Sequence, residues 1–339
     1  MEVSRSSSPL LVCLYEDRPY QIAGLKILLL SLERHCPSWP IRLRFPDIPN
    51  SFRAWLQRVS QVSLYEERLP SWGSYNVKPS VLLDGLATGA DACLWLDTDI
   101  LVNGNLDCVA AQPPDTIVVT EDPWEYVDGS THRCATWGLT GGRSLPGPLN
   151  SSVVRVTEQH RVFLEAWRQV LLFEAYIAEL AKPAAHRNQH LLSDQDALSA
   201  LLASEEFASI PVVRLAHSKE ILQHHGAGAY RINHRWSNLK QGMPMLIHAM
   251  GSVKPWRMAD RPSCFRSLRD YYERTYLELS PYVHYARQYR SHLDESASWL
   301  DIQTLTGRVG STIAFNRPQL KGALQSIIHQ TLSPTTLTR

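Results

Sequence analysis

The sequence predicts an α/β protein built on a doubly wound, mostly parallel β-sheet, and two observations support this prediction. Short apolar segments at 10–15, 41–45 and 92–102 have the length and β-former content of buried strands. Segments with a helical spacing of apolar residues, at 20–35 and 77–86, alternate with them. Such an alternation is typical of parallel sheets with crossover helices.

The composition limits the class of protein. The chain has 339 residues, of which 44% are hydrophobic and 20% charged, as in a soluble globular protein with a sizeable core. A net charge of +1 gives no indication of a nucleic-acid partner. The longest apolar run, 27–32, is too short to span a bilayer, and the first nine residues lack the apolar centre of a signal peptide. Six cysteines without a C-x-x-C pair predict reduced thiols, so we expect a cytoplasmic protein.

Further elements follow along the chain. The first helix ends before Pro37, and helix 77–86 leads into the strand at 92–102. A loop rich in Gly, Pro and Thr is predicted at 121–149, for which a substrate lid and a disordered insertion both remain open. The other predicted elements are helices at 52–62 and 162–180, strands at 117–120, 152–156, 212–215 and 245–247, and an extended piece at 230–233.

Two carboxylates, Asp97 and Asp99, interrupt the strand at 92–102. Residues i and i+2 of an extended segment share a face, so both side chains are expected to point to one place. Adjacent buried like charges are costly unless a cation or protons offset them, and oxygen ligands suit Mg²⁺ or Mn²⁺. The alternative is a strand that has ended, with two solvated aspartates. The apolar residues at 100–102 favour the metal site.

A second acidic pair, Asp194 and Asp196, flanks Gln195 and follows Ser193. Ser193 is expected to cap a helix with both carboxylates in its first turn, where they interact favourably with the helix dipole. Taken by itself, the pattern favours this capping role over a catalytic one.

The strand at 245–247 is followed by His248, with Gly251 and Lys254 at spacings of three. A lone histidine at a strand end is most often a core or surface residue. Glycine allows the backbone to approach a ligand closely, and lysine offers a point charge to a phosphate. The combination therefore predicts a metal ligand beside a phosphate clamp.

The composition changes from about residue 259, which predicts a main domain at 1–258 and a helical C-terminal extension at 259–339 with a flexible tail. Arginines and tyrosines alternate over 261–292 with helical periodicity. A basic aromatic face could lie on an anionic membrane surface. An ordinary solvated helix surface is the favoured alternative.

These motifs occur in an order that resembles glycosyltransferase family 8, the group of glycogenin and the lipooligosaccharide galactosyltransferases. The resemblance covers about residues 10–257. The D-x-D element alone is weak evidence, whereas His248-x-x-Gly251-x-x-Lys254-Pro255-Trp256 is specific. Asn150-Ser151 matches an Asn-Ser-Gly element of the family, but Ser152 replaces the glycine, which leaves the shape of the acceptor-side pocket open.

The resemblance implies a Rossmann-like GT-A fold for the main domain, with UDP-sugar as donor and Mn²⁺ or Mg²⁺ as cofactor. It assigns a role to each matching residue: Asp97, Asp99 and His248 as metal ligands on the diphosphate, Gly251 and Lys254 as phosphate contacts, Asp17 and Tyr20 at uracil and ribose, Lys78 and Asp194 at the donor sugar, and Gln195 below the anomeric carbon.

The activity so implied is retaining, metal-dependent hexosyl transfer to an unknown hydroxyl acceptor, which is a glycan, a lipid-linked saccharide or a small molecule. Front-face attack and a glutaminyl adduct on Gln195 both remain open. No nucleic-acid partner is expected. The implied location is the cytoplasm, with peripheral contact at the inner face of a membrane through 261–292 left open. A catalytically weak nucleotide-sugar-binding scaffold is the alternative. A haloacid-dehalogenase-type phosphatase is disfavoured because Ile100, not glycine, follows Asp99.

Overall fold

A computed structural model describes residues 10–69, 76–123, 130–223, 230–251, 254–260, 271, 274–275, 277–301, 304–315, 317–324 and 326–327. The chain forms two compact units, and each is discontinuous in sequence. The first comprises Met1–Pro19, Pro37–Asp97 and Leu106–Leu215. The second comprises Tyr20–Cys36, Thr98–Asn105 and Ala216–Arg339.

Strands and helices are labelled in chain order. The strands are β1 (Leu11–Tyr15), β2 (Ile41–Arg44), β3 (Val62–Tyr65), β4 (Ala92–Leu96), β5 (Ile100–Val102), β6 (Ile117–Glu121), β7 (Leu149–Thr157), β8 (Val212–Leu215), β9 (Ile221–Gln223) and β10 (Leu246–His248). The α-helices within the described residues are α1 (Ile22–His35), α2 (Asn50–Leu56), α3 (Lys78–Leu86), α4 (Asp107–Ala110), α5 (Ser130–Thr136), α6 (Arg161–Val170), α7 (Glu174–Leu180), α8 (Asp194–Ala203), α9 (Ile232–Gln241), α10 (Pro281–Ala286) and α11 (Leu305–Ile313).

The first unit contains a seven-stranded sheet in the order β3-β2-β1-β4-β7-β6-β8. All neighbouring strands are parallel except β7, which is antiparallel to both β4 and β6. All nine residues of β7 are buried, as expected for a strand with both faces covered. Helices α3, α6 and α8 contribute to one apolar core with β1, β4 and β7. The predicted α/β class with a mostly parallel sheet is confirmed.

The second unit contains a small sheet in the order β5-β10-β9. Strand β10 is antiparallel to β5, with His248 opposite Ile100, and parallel to β9, with His248 opposite Gln223. Helix α1 carries a buried apolar face, which includes Leu25, Leu28 and Leu32. Strands β10 and β9 end at His248 and Gln223, which are paired in the sheet. The two side chains therefore lie at the same end of these strands.

The prediction of one continuous strand at 92–102 is wrong. Strand β4 ends at Leu96, residues 97–99 form the connection, and β5 belongs to the second sheet. The amide of Asp97 makes the last ladder bond, to the Ser152 carbonyl at 2.8 Å. The apolar pattern looked continuous because β4 and β5 are both fully buried, although in different sheets.

Other predicted boundaries also need correction. The helix predicted at 52–62 is α2, which ends at Leu56, and Val62 already starts β3. The helix predicted at 162–180 is broken into α6 and α7 because Phe173 has extended ψ. The extended piece predicted at 230–233 gives way to α9 from Ile232. The predicted loop at 121–149 contains α5, whereas Trp124 and Tyr126 lie outside the described residues.

The described part of the C-terminal extension is helical, with α10 and α11. Tyr282 and Tyr289 are buried in it, so these two rings do not contribute to a basic aromatic surface, the alternative left open for 261–292. Residues 261–270 lie outside the described part. Five cysteines are described and all are free thiols, while Cys264 is outside the described residues.

Among the described helices, none has the length and apolar character needed to cross a bilayer.

Candidate functional site

A buried lysine organises the polar cluster of the first unit. Lys78 is the first residue of α3, and its ammonium lies 3.2 Å from Asp194 Oδ2 and 3.1 Å from Asp97 Oδ1. The ammonium also donates to Ser151 Oγ at 2.7 Å, and that hydroxyl donates to Asp194 Oδ2 at 2.7 Å. Burial lowers the pKa of Lys78, but the carboxylates of Asp194 and Asp97 raise it above its ordinary value, so the side chain stays charged at neutral pH.

The start of α8 positions Asp194. Ser193 and Asp196 form a capping box, in which the Ser193 amide donates to Asp196 Oδ2 at 3.2 Å, so the predicted cap is confirmed. Asp196 also pairs with Arg133 at 3.4 Å. Asp194 points instead to Lys78. Burial raises the pKa of Asp194 above its ordinary value, although Lys78 opposes this shift.

Two hydrogen bonds hold the Gln195 side chain. Its Oε1 accepts from Asn150 Nδ2 at 2.9 Å, and its Nε2 donates to Asp122 Oδ2 at 3.0 Å. Asn150 lies on β7 and Asp122 follows β6, so the two antiparallel strands bring both partners to the start of α8. Sequence reasoning missed Asp122, which is 73 residues from Gln195 and belongs to no recognised motif.

Ser152, where the resemblance expects glycine, is fully buried. Its hydroxyl lies 3.1 Å from Thr120 Oγ1 on β6, and its amide donates to Asn150 Oδ1 at 2.9 Å. The extra hydroxyl is therefore satisfied between neighbouring strands. The second bond also orients the Asn150 amide that contacts Gln195.

Asp97 ends a segment of the first unit, and Thr98 starts a segment of the second. The indole Nε1 of Trp95 donates to Asp97 Oδ1 at 2.7 Å, the same oxygen that faces Lys78. The side chain of Asp97 is 25% exposed. Only Thr98 separates it along the chain from Asp99, the acid of the second cluster.

The second unit holds Asp99, His248 and Lys254, all buried. His248 Nε2 lies 3.1 Å from Asp99 Oδ1, and the Lys254 ammonium pairs with Asp99 Oδ2. Lys254 also donates to the Ala249 carbonyl at 2.9 Å. Burial alone would raise the pKa of Asp99. The charges of Lys254 and His248 lower it by more than burial raises it, so the pKa of Asp99 lies well below its ordinary value.

The tautomer of His248 bears on metal binding. Its Nδ1 lies 2.8 Å from Gln223 Oε1, an acceptor, so Nδ1 carries a hydrogen. A neutral ring would then direct the Nε2 lone pair at the Asp99 carboxylate. Two acceptors at 3.1 Å require a proton or a cation between them, so this edge of the site is suited to a positively charged group.

Three other residues named by the resemblance, Asp17, Tyr20 and Gly251, lie outside the strands and α-helices. Asp17 Oδ2 accepts from Arg68 at 3.3 Å. Tyr20 is 50% exposed, with the Arg257 guanidinium 5.2 Å from its ring centroid. Gly251 is exposed and has φ +110°, a conformation in which a side chain would be strained. The ring of Tyr20 and the backbone of Gly251 are thus both accessible to solvent.

Comparison with known proteins identifies the fold but no family. No family model and no curated protein sequence matches this chain. The structure is similar to the bifunctional glycosyltransferase WbbM in its apo form, with a TM-score of 0.51, 15% identity, and 76% of this chain and 48% of that chain covered. Our chain therefore spans about half the length of WbbM. At this identity the likeness shows the fold alone, which is a fold found among glycosyltransferases.

Two further solved structures are similar at lower TM-scores. The glycosyltransferase GlyE of Streptococcus pneumoniae TIGR4 has a TM-score of 0.46 and 17% identity, with 87% of this chain and 62% of that chain covered. The galactosyltransferase LgtC, solved in complex with donor and acceptor sugar analogs, has a TM-score of 0.48 and 17% identity, with 84% of this chain and 100% of that chain covered.

Proposed function

We propose that the protein is a glycosyltransferase that uses a divalent metal ion to transfer a hexose from a UDP-sugar to a hydroxyl acceptor, with retention of anomeric configuration. The observation that carries this proposal is the contact of Asp99 with His248 Nε2, an acid and an imidazole that need a cation or a proton between them. The fold, which occurs among glycosyltransferases, is consistent with the proposal. Residues 1–258 would form the catalytic domain.

We assign the metal to Asp97, Asp99 and His248. Among the described residues, this is the group of acidic and histidine side chains that could hold an ion. Two carboxylates and one imidazole suit Mn²⁺ and Mg²⁺. When bound, the ion would offset charge on the diphosphate leaving group as a Lewis acid. Gln223 would fix His248 with Nε2 as the ligand atom, since it holds the hydrogen on Nδ1.

Lys254 would exchange partners when the donor binds. In the structure its ammonium pairs with Asp99, the same carboxylate that we assign to the metal. A ligated Asp99 has less negative charge to offer Lys254, so the ammonium becomes available to a phosphate oxygen. Gly251 would let the backbone approach the same phosphates, because no side chain extends from it.

The polar cluster around Lys78 in the first unit would hold the donor sugar. Asp194 would accept hydrogen bonds from sugar hydroxyls, and Lys78 would keep the Asp194 carboxylate charged. Gln195 would direct its carbonyl oxygen at the anomeric carbon and stabilise positive charge there, since an amide cannot act as a general base. Asp17 and Tyr20 would contact uracil and ribose. The acceptor would be a glycan, a lipid-linked saccharide or a small molecule.

Calorimetric titration with UDP tests the metal site directly. We expect the full-length protein to bind UDP in the presence of Mn²⁺ and to lose this binding in EDTA. Asp99→Asn should bind UDP only weakly, and added Mn²⁺ should no longer strengthen that binding. The matched control is Asp91→Asn, which makes the same change at an exposed aspartate. UDP affinity that is insensitive to EDTA would refute the metal assignment.

A screen of UDP-sugars with Mn²⁺ separates an enzyme from a scaffold. Hydrolysis or transfer of one UDP-sugar, lost in Asp99→Asn, is the expected result. UDP-sugar binding without turnover on any donor would instead favour the catalytically weak scaffold.

A further inference from the structure

The side chain of Trp95 forms a short hydrogen bond to an acid of the candidate site. Its indole Nε1 donates to Asp97 Oδ1 at 2.7 Å. Trp95 lies in β4, and Asp97 follows the last residue of that strand. Residues two apart in an extended segment project from the same side of the chain. The strand itself therefore brings the indole and the carboxylate together.

The indole of Trp95 is held from both sides. Trp95 pairs with Cys13 of β1 and with Val154 of β7, so its strand is flanked by two others. The residue is 4% exposed and belongs to the apolar core of the first unit. Close packing restricts a core side chain to a narrow range of rotamers. The N–H donor consequently has a fixed position, to which the more exposed Asp97 side chain adjusts.

Lys78 uses the same carboxylate oxygen as Trp95. Its ammonium lies 3.1 Å from Asp97 Oδ1 and 5.6 Å from the centroid of the Trp95 ring. A carboxylate oxygen has about two lone-pair directions, and two N–H donors use both of them. A metal ion ligated by Asp97 would therefore bind the other oxygen, Oδ2. The two donors would also fix the plane of the carboxylate.

We propose that Trp95 is a positioning residue for the metal ion: its indole N–H, together with Lys78, holds Oδ1 of Asp97 so that Oδ2 is directed to the ion. Because it takes Asp97 as a metal ligand, this inference rests on the proposed function. Hydrogen-bond partners that orient a ligating side chain typically change metal affinity by about 10- to 100-fold. Trp95 is thus expected to control the affinity for Mn²⁺ without touching the ion.

A second buried tryptophan provides a matched control. Trp137 belongs to the same core, is 3% exposed, and donates its indole N–H to the His190 carbonyl, also at 2.7 Å. Its acceptor is a backbone carbonyl and not a carboxylate that we assign to the metal. Substitution of either tryptophan by phenylalanine removes an indole and a hydrogen bond of the same length. A purely structural role would give the two variants the same properties.

Titration of Mn²⁺ in the presence of UDP, followed by the EPR signal of unbound Mn²⁺, tests the proposal on the full-length protein. Trp95→Phe should raise the Kd for Mn²⁺ at least about tenfold. Saturating Mn²⁺ should restore UDP affinity, measured by calorimetry, because only the metal ligand is misplaced. Trp137→Phe should bind Mn²⁺ like the wild type. Both variants are expected to lose thermal stability, so a lower Tm does not distinguish them.

An isosteric replacement separates the hydrogen bond from the packing of the ring. Benzothienylalanine at position 95 has sulfur in place of the indole N–H, so it keeps the shape of the ring and removes only the donor. This variant should raise the Kd for Mn²⁺ as Trp95→Phe does. Wild-type Mn²⁺ affinity in the isosteric variant would overturn the proposal even if Trp95→Phe binds Mn²⁺ poorly, because packing would then be the cause.

Two further outcomes have distinct meanings. An equal loss of Mn²⁺ affinity in Trp137→Phe would overturn the positioning role of Trp95 and leave the proposed metal site intact. A wild-type protein that binds no Mn²⁺ in the presence of UDP would overturn the metal site itself, and the role of Trp95 with it.

Discussion

The ammonium of Lys78 lies 3.2 Å from Asp194 Oδ2, and each side chain is only 4% exposed. Asp97 Oδ1 faces the same ammonium at 3.1 Å. One buried positive charge thus serves two carboxylates that come from the end of β4 and the start of α8. Removal of the ammonium would leave both carboxylates without their shared counter-charge.

Lys78→Met should therefore destabilise the protein by about 3–5 kcal/mol, the cost of removing one partner of a buried ion pair. Chemical unfolding at pH 7 measures the change. The control is Lys182→Met, which removes a half-exposed lysine 2.6 Å from Glu179 and should cost under about 1 kcal/mol. Similar losses for the two variants would contradict a special role for Lys78.

Gly24→Ala should destabilise the second unit because the added methyl group has no space. A Cβ at this position would lie 2.5 Å from Trp256 Cη2 and 3.1 Å from the Thr98 carbonyl oxygen. Overpacking of this kind costs about 1–3 kcal/mol. Because Thr98 precedes Asp99, we also expect weaker Mn²⁺ binding, measured by calorimetry.

Gly310→Ala is the matched control for Gly24→Ala. Its added Cβ would make only an ordinary contact, 3.5 Å from Leu279. Alanine has the higher helix propensity, so this variant should be neutral or more stable by up to about 1 kcal/mol. Destabilisation of Gly310→Ala to the same degree as Gly24→Ala would show that space at Gly24 is not the cause.

His217 should make the second unit sensitive to acid. Burial, followed by the nearby charges of His234 and Arg231, lowers the pKa of His217 from 6.5 to about 3. Nδ1 of His217 accepts a hydrogen bond from the backbone N–H of Gln223 at 3.2 Å, which requires a ring without a proton on Nδ1. Below the unfolded pKa of 6.5 the unfolded chain binds a proton that the folded state excludes. Stability is therefore present above that pKa and falls as the pH drops towards the folded pKa.

Urea unfolding at pH 7 and pH 5 measures this contribution of His217. The wild type should lose about 2 kcal/mol more between these pH values than His217→Asn does. His292→Asn changes an exposed histidine and should keep the acid sensitivity of the wild type. An unchanged pH dependence in His217→Asn would show that this ring is not kept neutral by the fold.

Gln195→Ala should slow transfer by about 10²-fold in kcat, the scale of losing one charge-stabilising group. UDP affinity should remain nearly unchanged, because Gln195 is assigned to the sugar and not to the diphosphate. Gln169→Ala, at an exposed position on α6, is the control and should leave kcat unchanged. A loss of UDP affinity in Gln195→Ala would place the side chain elsewhere.

The anomeric outcome checks the same assignment. An α-linked UDP-sugar should give an α-linked first product, observed by proton NMR. A β-anomeric coupling would refute retention and the role given to Gln195.

The local pattern of the sequence was sufficient for many elements of the first unit. Strands β1, β2 and β8 and helix α3 were predicted within one or two residues, because apolar periodicity and breakers such as proline act over a few neighbours. The cap of α8 was also predictable, since Ser193 and Asp196 are only three residues apart. The sequence likewise specified the kinds of side chain at the candidate site.

Only the tertiary structure decided how these side chains are arranged. Asp122 reaches Gln195, and Gln223 orients His248, through contacts between residues that are far apart along the chain. The turn at 97–99 separates two strands of different sheets, and no local pattern distinguishes it from a continuous buried strand. Interstrand pairing and burial are long-range properties, which is why composition and spacing could predict the chemistry but not its geometry.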